Sequence, residues 1–273
     1  YGWQTLTADG EDLAALEECI VQAKADPRPT LITVTTTIGF PSPGMAGKPE
    51  AHSPPFSVEE IRRTKAVLGL DPDQTFQVPR ELESVATACK EKGLRDYGEW
   101  ERHLTPEWKR WQTRAWPADY SPERFEQPMA TRVASGKILN ELARRIQNLL
   151  GGSADLAGST NTFLAEERDF SSHDRGGRNL RFGVREQAMA GITNGLAQHG
   201  GLIPFCSTYF AFSDFMKPAI RLAALAGIPG IFVFTHDSLA LGGDGPTHQP
   251  VEHVASLRAM PNMLVFRPAD GVE

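Results

Sequence analysis

Short apolar runs alternate with amphipathic helical stretches along the second half of the chain, from Met129 onward. The pattern predicts helices at 130–146, 185–199, 209–227 and 251–259, and strands at 148–152, 179–184, 202–207, 230–235 and 263–267. Strands that alternate with helices are typical of a parallel, doubly wound α/β sheet. In such sheets ligands lie beyond the carboxyl ends of the strands, so the residues that follow each strand are the candidates for a site.

The first part of the chain shows the same two kinds of pattern. Residues 11–25 carry apolar side chains at helical spacing, and residues 30–37 are dense in β-branched residues, which favour a strand. A long loop rich in Gly, Pro and Ser follows at 38–56, and Ser57 with Glu60 forms a capping box that begins another helix. This part is therefore predicted to be an α/β layer with one long, functional loop.

Residues 93–128 differ in composition from the sequence on either side, because they are charged and contain several prolines. Four tryptophans are interleaved in this stretch: Trp100, Trp108, Trp111 and Trp116. We interpret the stretch as a linker between a domain at 1–92 and a domain at 129–273. The tryptophans are interpreted as anchors that pack the linker onto a domain, since a stacking platform for nucleic acid would need basic surroundings.

Composition and charge narrow the possible partners. The chain has 273 residues, 40% of them hydrophobic, which is enough to bury two cores. A net charge of −6 argues against nucleic acid and membranes as partners, and we expect neither. Three widely spaced cysteines and the lack of a leader-like or membrane-spanning segment indicate a reducing, cytoplasmic location. Since the chain lacks an initial Met and stops just after a predicted strand, we expect it to be the central fragment of a longer protein.

Polar residues are concentrated in four segments that follow predicted strands. These segments are Gly151-Gly152-Ser153-Ala154-Asp155, Arg185-Glu186-Gln187, Thr235-His236-Asp237-Ser238 and Asp244-Gly245-Pro246-Thr247-His248-Gln249. A cap or turn explains any one of them, but all four are expected at one edge of the sheet, which favours a ligand site. The histidines and aspartates match no common zinc spacing, so polar recognition of a hydroxylated substrate is the preferred interpretation and no metal ligand is predicted.

Two further features have alternative explanations from the residues alone. Glu186 is either an acid stabilised by the start of a helix or a carboxylate that needs a partner at the strand–helix junction. The aromatic residues that follow the strand at 202–207 either belong to the core or form a cradle for a flat heterocycle. They are Tyr209, Phe210, Phe212 and Phe215.

Together these segments closely resemble the transketolase family. The resemblance is carried by Thr35-Thr36-Thr37-Ile38-Gly39-Phe40, Gly151-Gly152-Ser153-Ala154-Asp155-Leu156, Arg181-Phe182-Gly183-Val184-Arg185-Glu186, Thr235-His236-Asp237-Ser238 and Gly243-Asp244-Gly245-Pro246-Thr247-His248-Gln249-Pro250. It implies two domains of the thiamine-diphosphate-binding type joined by the linker. Residues 1–92 would be the C-terminal part of the diphosphate-binding domain, and 129–273 a truncated pyrimidine-binding domain. The implied reaction is transfer of a two-carbon ketol unit between sugar phosphates.

The resemblance also implies a role for individual residues. Glu186 resembles the glutamate that hydrogen-bonds N1′ of the cofactor pyrimidine, where it favours the imino tautomer that accepts the C2 proton. The other implied cofactor-binding residues are Tyr209, Phe212, Phe215, Asp155, Ile38 and His52. The implied substrate-binding residues are Arg132, Ser159 and His236 for the phosphate, and Asp244, His248 and His52 for the sugar. Catalytic roles are implied for Glu186, His52 and His248.

The resemblance further implies a homodimer with shared active sites and a divalent metal, Mg²⁺ or Ca²⁺. The family holds that metal with a Gly-Asp-Gly segment and a downstream Asn, and we expect these ligands outside this chain. Gln187, Tyr209 and Gly243 depart from the family's usual residues, as do Cys206-Ser207 and Ser53-Pro54-Pro55. These departures leave an alternative open, namely a catalytically altered or silent transketolase-like protein with a binding or regulatory role.

Overall fold

The computed structural model describes residues 2–114, 117–122, 124–125 and 127–273. The chain divides into two compact units, residues 1–98 and residues 99–273, and each is described by itself. The predicted anchor Trp116 lies outside the described residues. None of the helices in the described ranges combines the length and the apolar character needed to cross a membrane.

The first unit is built on a pair of parallel strands connected by a helix. Its elements are β1 (Gln4–Asp9), α1 (Leu13–Ala25), β2 (Thr30–Thr35), α2 (Val58–Val67) and the first part of α3 (Glu81–His103). Asp12 begins α1, because its carboxylate accepts hydrogen bonds from the amides of Ala14 and Ala15, each at 3.0 Å. The predicted helix, strand and capped helix are confirmed, whereas β1 was not predicted.

Most of the described part of 93–114 is helical. The second half of α3 lies there, and α4 (Pro106–Gln112) follows it. Within the second unit, Trp108 of α4 packs its ring 6.5 Å from the ring of His199. The anchor interpretation therefore holds for this tryptophan. The domain boundaries at 92/93 and 128/129 stay a prediction.

The second unit contains a four-stranded parallel sheet in the order β4-β3-β5-β6. Its strands are β3 (Leu149–Ser153), β4 (Asn179–Arg181), β5 (Ile203–Tyr209) and β6 (Ile231–Thr235). Its helices are α5 (Thr131–Arg145), α6 (Ala157–Thr160), α7 (Glu186–His199), α8 (Lys217–Ala226) and α9 (His253–Arg258). All three strand pairs are parallel, so the predicted α/β class is confirmed.

Two predicted elements in this unit were wrong. Residues 263–267 form no strand in the described part of the chain, and Leu264 and Phe266 are 78% and 85% exposed there. A β-branched, apolar stretch becomes a strand only where a neighbouring strand pairs with it. The predicted helix at 209–227 is two elements, the 3-10 turn Phe210–Phe215 and then α8, in which Pro218 occupies the first turn.

Gly151 and Gly152 let β3 lie unusually close to its neighbours. A Cβ atom added to Gly152 would lie 1.8 Å from the carbonyl oxygen of Leu180 on β4, and one added to Gly151 would lie 2.1 Å from that of Phe205 on β5. No side chain fits at either position. The glycine pair therefore sets the packing of β3, which leads directly to the Ser153-Ala154-Asp155 segment.

A buried arginine joins α5 to β3 and β4. The guanidinium of Arg178 donates to the carbonyl oxygens of Ala143, Ile146 and Leu149 at 2.8 to 3.0 Å, and to the carboxylate of Glu167 at 2.5 Å. The hydrogen bond from Arg178 holds the pKa of Glu167 below its usual range, although partial burial opposes it. This residue closes the carboxyl end of α5, where helix carbonyls lack partners.

Replacement of Arg178 by Met is expected to destabilise the protein by about 3–5 kcal/mol, because three buried carbonyls and a half-buried carboxylate lose their donor. Urea unfolding monitored by circular dichroism measures this change. Arg168→Met is the matched control, since Arg168 forms an ion pair with Asp174 while 73% exposed, and such pairs contribute about 0–1 kcal/mol. Equal losses in the two variants would contradict a structural role for Arg178.

Candidate functional site

The segments that follow β3, β4, β5 and β6 lie at the same edge of the sheet, because the strands are parallel. The 3-10 turn Phe210–Phe215 follows β5 directly, and His236 follows β6 directly. A second 3-10 turn, Pro246–His248, lies in the loop after β6 and packs against the turn Phe210–Phe215. The predicted candidates in this unit are thus grouped as expected.

Four rings form an aromatic–histidine cluster at this edge: Tyr209, Phe212, His236 and His248. Tyr209 stacks on His236 with the ring centroids 3.7 Å apart, and lies nearly parallel to Phe212 at 5.9 Å. His248 presents its edge to Phe212 at 5.0 Å and to Tyr209 at 6.0 Å. The cluster therefore joins residues predicted to contact the cofactor with residues predicted to contact the sugar.

Arg132 lies between the two other predicted phosphate ligands. Its Nη1 is 3.1 Å from Nε2 of His236 and 3.2 Å from the backbone oxygen of Ser159. Since a guanidinium only donates, Nε2 accepts, and the imidazole proton is on Nδ1, 2.9 Å from the hydroxyl of Thr235. Arg132 and His236 are more than a hundred positions apart in the sequence, but these contacts join them into one polar group on the exposed edge.

The surroundings of His236 favour the neutral form of its imidazole. Burial lowers the pKa of its imidazole most, and the positive charge of Arg132 lowers it further, while Asp244 works in the opposite direction. The backbone of His236 has a φ of +57°, in the left-handed region that a non-glycine residue rarely adopts. Such conformations persist where the surrounding structure holds them, and here the ring is fixed by Tyr209, Thr235 and Arg132.

Glu186 occupies the first turn of α7 and is half-buried. Within the described part of the chain, its carboxylate has no hydrogen-bond partner. Helix α7 packs against the turn Phe210–Phe215, so the carboxylate and the aromatic side chains of that turn belong to adjoining elements. A half-buried carboxylate that none of these described residues pairs can accept a hydrogen bond from a ligand.

The alternative that the aromatic residues are core applies only to Phe210. This side chain is 5% exposed and lies 5.4 Å from the ring of Phe234, whereas Phe215 is 63% exposed and Tyr209 and Phe212 are half-buried. The three exposed or half-buried rings are available to a flat ligand. The turn therefore divides its aromatic residues between the core and the sheet edge.

Asp155 follows β3 with a φ of +64° and an exposed side chain. It lines a small cavity of about 140 Å³ together with Gly152, Ser153 and Gly183. The hydroxyl of Ser153 donates to the carbonyl oxygen of Ser207 at 2.9 Å and accepts from the amide of Leu156. These bonds fix the path of the chain through Asp155.

Ile38 and His52 belong to the first unit, and their predicted roles stay predictions. Ile38 is 46% exposed, and its carbonyl oxygen accepts a hydrogen bond from the amide of Gly47 at 2.8 Å. His52 ends the 3-10 turn Pro49–Ala51 and is exposed. Both residues therefore present side chains from the long loop at 38–56.

The sequence did not reveal that Glu60 anchors this loop. Its buried carboxylate accepts hydrogen bonds from the hydroxyl of Ser42 and from the amide of Gly44, and Arg63 lies 3.2 Å away. These interactions, led by the hydrogen bond from Ser42, hold the pKa of Glu60 below its usual range. The capping-box pattern identified Glu60 only as part of a helix start.

A network of buried hydroxyl groups beneath the edge was also missed. Thr162 lies within hydrogen-bond distance of Thr160 at 2.7 Å and of Ser207 at 2.6 Å. Neighbouring Cys206 is enclosed in the core, where burial raises the pKa of its thiol to about 12. Neither departure from the resembled family, Cys206 or Ser207, places a reactive group at the edge.

Two families match the chain, one for each part. The family described as the transketolase thiamine diphosphate binding domain matches residues 1–118. The family described as the transketolase pyrimidine binding domain matches residues 127–273.

Curated relatives match over the whole of this chain. The transketolase of Halalkalibacterium halodurans is 43% identical over 288 aligned residues, which cover 100% of this chain and 43% of that protein. The transketolase of Bacillus subtilis is 44% identical and matches 99% of this chain and 43% of its own length. The chain thus spans less than half the length of these relatives.

Solved transketolase structures also match nearly the whole of this chain and less than half of their own length. A transketolase from Leishmania mexicana is 38% identical with a TM-score of 0.86, covering 96% of this chain and 41% of its own. A mutant transketolase from Pichia stipitis in complex with fructose-6-phosphate is 34% identical with a TM-score of 0.88, covering 99% of this chain and 44% of its own.

Proposed function

The chain belongs to the transketolase family, and we propose that its native subunit transfers a two-carbon ketol unit from a ketose phosphate to an aldose phosphate. Native subunit here means the natural polypeptide that contains residues 1–273. One observation carries the proposal: a single sheet edge combines the carboxylate of Glu186, which no described residue pairs, with available aromatic rings and the polar group of Arg132 and His236. The two ends of this edge suit a heterocycle and a phosphorylated sugar.

The residues of the edge fit thiamine diphosphate. Glu186 is a half-buried acceptor without a partner among the described residues, which suits a protonated ring nitrogen, and the rings of Phe212, Phe215 and Tyr209 suit a flat pyrimidine. When bound, thiamine diphosphate supplies the nucleophilic carbon that the side chains of a protein lack. Glu186 would hold a proton at N1′ and so set the tautomer of the ring, while the aromatic residues would orient it and exclude water.

We assign the sugar phosphate to the other end of the edge. Arg132 would donate two parallel hydrogen bonds to the phosphate oxygens, with His236 and Ser159 beside it. Asp244 and His248 would contact the sugar hydroxyl and carbonyl groups, since both belong to the loop that packs on the turn Phe210–Phe215. Asp155 would contact the cofactor, and His248 would orient the reacting carbonyl. For the first unit, the resemblance supports a cofactor-binding role for Ile38 and a cofactor- and substrate-binding role for His52.

We also propose that Mg²⁺ or Ca²⁺ would help to hold the cofactor diphosphate by neutralising its negative charge. In the described ranges, one group of three side chains could bind a metal, namely Asp214, Glu252 and His253. Their contacts are ion pairs with one another and with Lys217. As the resemblance implies, we assign the ligands of this metal to residues outside this chain.

A homodimer with shared active sites is supported by apolar side chains on and beside α7. Val184, Ile192 and Phe215 are 77%, 49% and 63% exposed. Gly191 and Gly195 have no neighbouring atom within 4 Å of an added Cβ, which leaves the helix backbone open to close approach. Exposed apolar side chains of this size are typical of protein interfaces.

A cytoplasmic location is supported by three free thiols, Cys19, Cys89 and Cys206.

Ketol transfer by the purified native subunit tests the proposal. With fructose-6-phosphate as donor, an aldose phosphate as acceptor, thiamine diphosphate and Mg²⁺, we expect chain-lengthened ketose phosphate to accumulate. Omission of thiamine diphosphate is the control and should abolish the product. A folded subunit that binds the cofactor but forms no product would support a silent, regulatory protein instead.

A further inference from the structure

We propose that His253 is a positioning residue that, through Asp214, fixes the aromatic turn Phe210–Phe215 for the pyrimidine of the cofactor. This inference rests on the proposed function, because it assigns the turn to cofactor binding. Neither His253 nor Asp214 belongs to the predicted site. Their contact arises because α9, which carries His253, packs against the turn that contains Asp214.

The imidazole of His253 is placed inside the unit with little exposure to water. His253 is 5% exposed, and its ring lies 5.5 Å from the ring of Phe210, which forms the buried end of the turn. A polar ring in such surroundings is costly to bury unless a partner compensates it. Charged oxygen atoms provide that compensation on both sides of the ring.

Each ring nitrogen of His253 faces a different carboxylate. Nε2 lies 3.2 Å from Oδ2 of Asp214, and Nδ1 lies 3.8 Å from Oε2 of Glu252. Neither contact has the geometry of a straight hydrogen bond, so the attraction is between charges and dipoles rather than along one N–H direction. The shorter contact is the one that reaches the aromatic turn.

Asp214 is held from a second side. Its Oδ1 lies 2.8 Å from Nζ of Lys217, the first residue of α8. Partial burial acts to raise the pKa of Asp214, but Lys217 and His253 outweigh it and hold that pKa below its usual value. The carboxylate is therefore a charged anchor between α8 and α9.

The position of Asp214 in the turn makes this anchor relevant to the ligand site. It directly precedes Phe215 and lies two residues after Phe212, the ring that contacts both Tyr209 and His248. A shift of Asp214 changes the backbone of the turn and with it the planes of both phenylalanines. The buried ring of Phe210, held by His253, fixes the opposite end.

The same three side chains could in principle bind a metal, but their arrangement favours ion pairs. Asp214 and Glu252 approach opposite nitrogens of one imidazole, and a single ion binds only one of these nitrogens. Lys217 also occupies the second oxygen of Asp214 with a positive charge. The cluster is therefore a clamp on the turn.

Three replacements of His253 in the native subunit separate the two nitrogens. The amide nitrogen of Gln can occupy the place of Nε2 and keep an N–H dipole beside Asp214, whereas that of Asn corresponds to Nδ1 and does not reach Asp214. Leu keeps the packing against Phe210 and removes both nitrogens. We expect the dissociation constant of thiamine diphosphate, measured by fluorescence quenching with Mg²⁺ present, to rise about tenfold in His253→Asn and His253→Leu. It should stay within about twofold of wild type in His253→Gln.

If His253 had a purely structural role, all three variants would lose stability to a similar extent. The cofactor affinity of the Gln variant would then not exceed that of the Asn and Leu variants. Steady-state KM for the sugar phosphates, at saturating cofactor, should remain unchanged, and His173→Gln, at an exposed histidine, is the matched control. Equal cofactor affinity in all variants, or equal loss in Gln and Leu, would overturn the clamp. If the Leu variant fails to fold, the Gln and Asn pair decides. A wild-type subunit without cofactor affinity would instead overturn the proposed function itself.

Discussion

Replacement of Glu186 by Gln in the native subunit is expected to lower turnover by about 10²–10⁴-fold, the range typical of a lost general acid–base group. Gln keeps the size of the side chain and one oxygen acceptor but removes the negative charge that would hold a proton on the cofactor ring. Because the carboxylate has no partner in the described residues, its loss breaks no internal hydrogen bond. Folding and cofactor binding should therefore survive.

The competing explanation makes Glu186 a helix-start acid of α7. In that case the same change costs about 0.3–1 kcal/mol of stability and leaves the rate nearly unchanged. Exchange of the cofactor C2 proton for deuterium, measured by acid quench and NMR on the bound cofactor, distinguishes the two. Gln187→Ala, at the exposed neighbouring position, is the control. Exchange at the wild-type rate in Glu186→Gln would remove the residue from the chemistry.

Replacement of Arg132 by Ala is expected to raise KM for phosphorylated sugars by about 10- to 150-fold, since a charged hydrogen bond is worth roughly 1.5–3 kcal/mol. KM for an unphosphorylated ketose should change little. Arg132→Lys keeps the charge without the planar fork and should lie between the two. Steady-state kinetics with matched phosphorylated and unphosphorylated donors measures the difference, and equal effects on both would show that Arg132 serves the fold alone.

The same variant has an independent readout at His236. Arg132 is one of the groups that lower the pKa of this imidazole, so its removal should raise that pKa. Titration of the imidazole by NMR detects the change without substrate. A pKa that does not rise would indicate that burial alone determines the protonation of His236.

Sequence periodicity predicted the elements whose hydrophobic pattern matches their surroundings. The helix at 185–199 and the strand at 230–235 are examples, since each has one face on the core. The stretch 263–267 has an equally strong strand pattern, but pairing depends on a neighbouring strand, which local sequence does not encode. The short strand β1 carries four polar residues among its six, so its pattern gave no signal.

The site was predictable to the extent that its residues follow strands. Positions after β3, β4, β5 and β6 were identified by the rule for parallel sheets, whereas Arg132 on α5 entered only through the resemblance. No local pattern connects Arg132 with His236, because their contact depends on how α5 packs beside the sheet. Glu60 and His253 were missed for the same reason, since the contacts that reveal their roles are made to other segments: Ser42 and Gly44 for Glu60, and Asp214 for His253.

If Arg132 binds the sugar phosphate as proposed above, its hydrogen bond with His236 would couple substrate binding to acidity. A phosphate that binds Arg132 offsets part of the positive charge that keeps the imidazole deprotonated, so the bound state holds a proton more readily than the empty one. By reciprocity of linked equilibria, the imidazole must then favour the anion when protonated. The subunit would take up a fraction of a proton with each sugar phosphate, and its affinity for these anions would strengthen as the surroundings become more acidic.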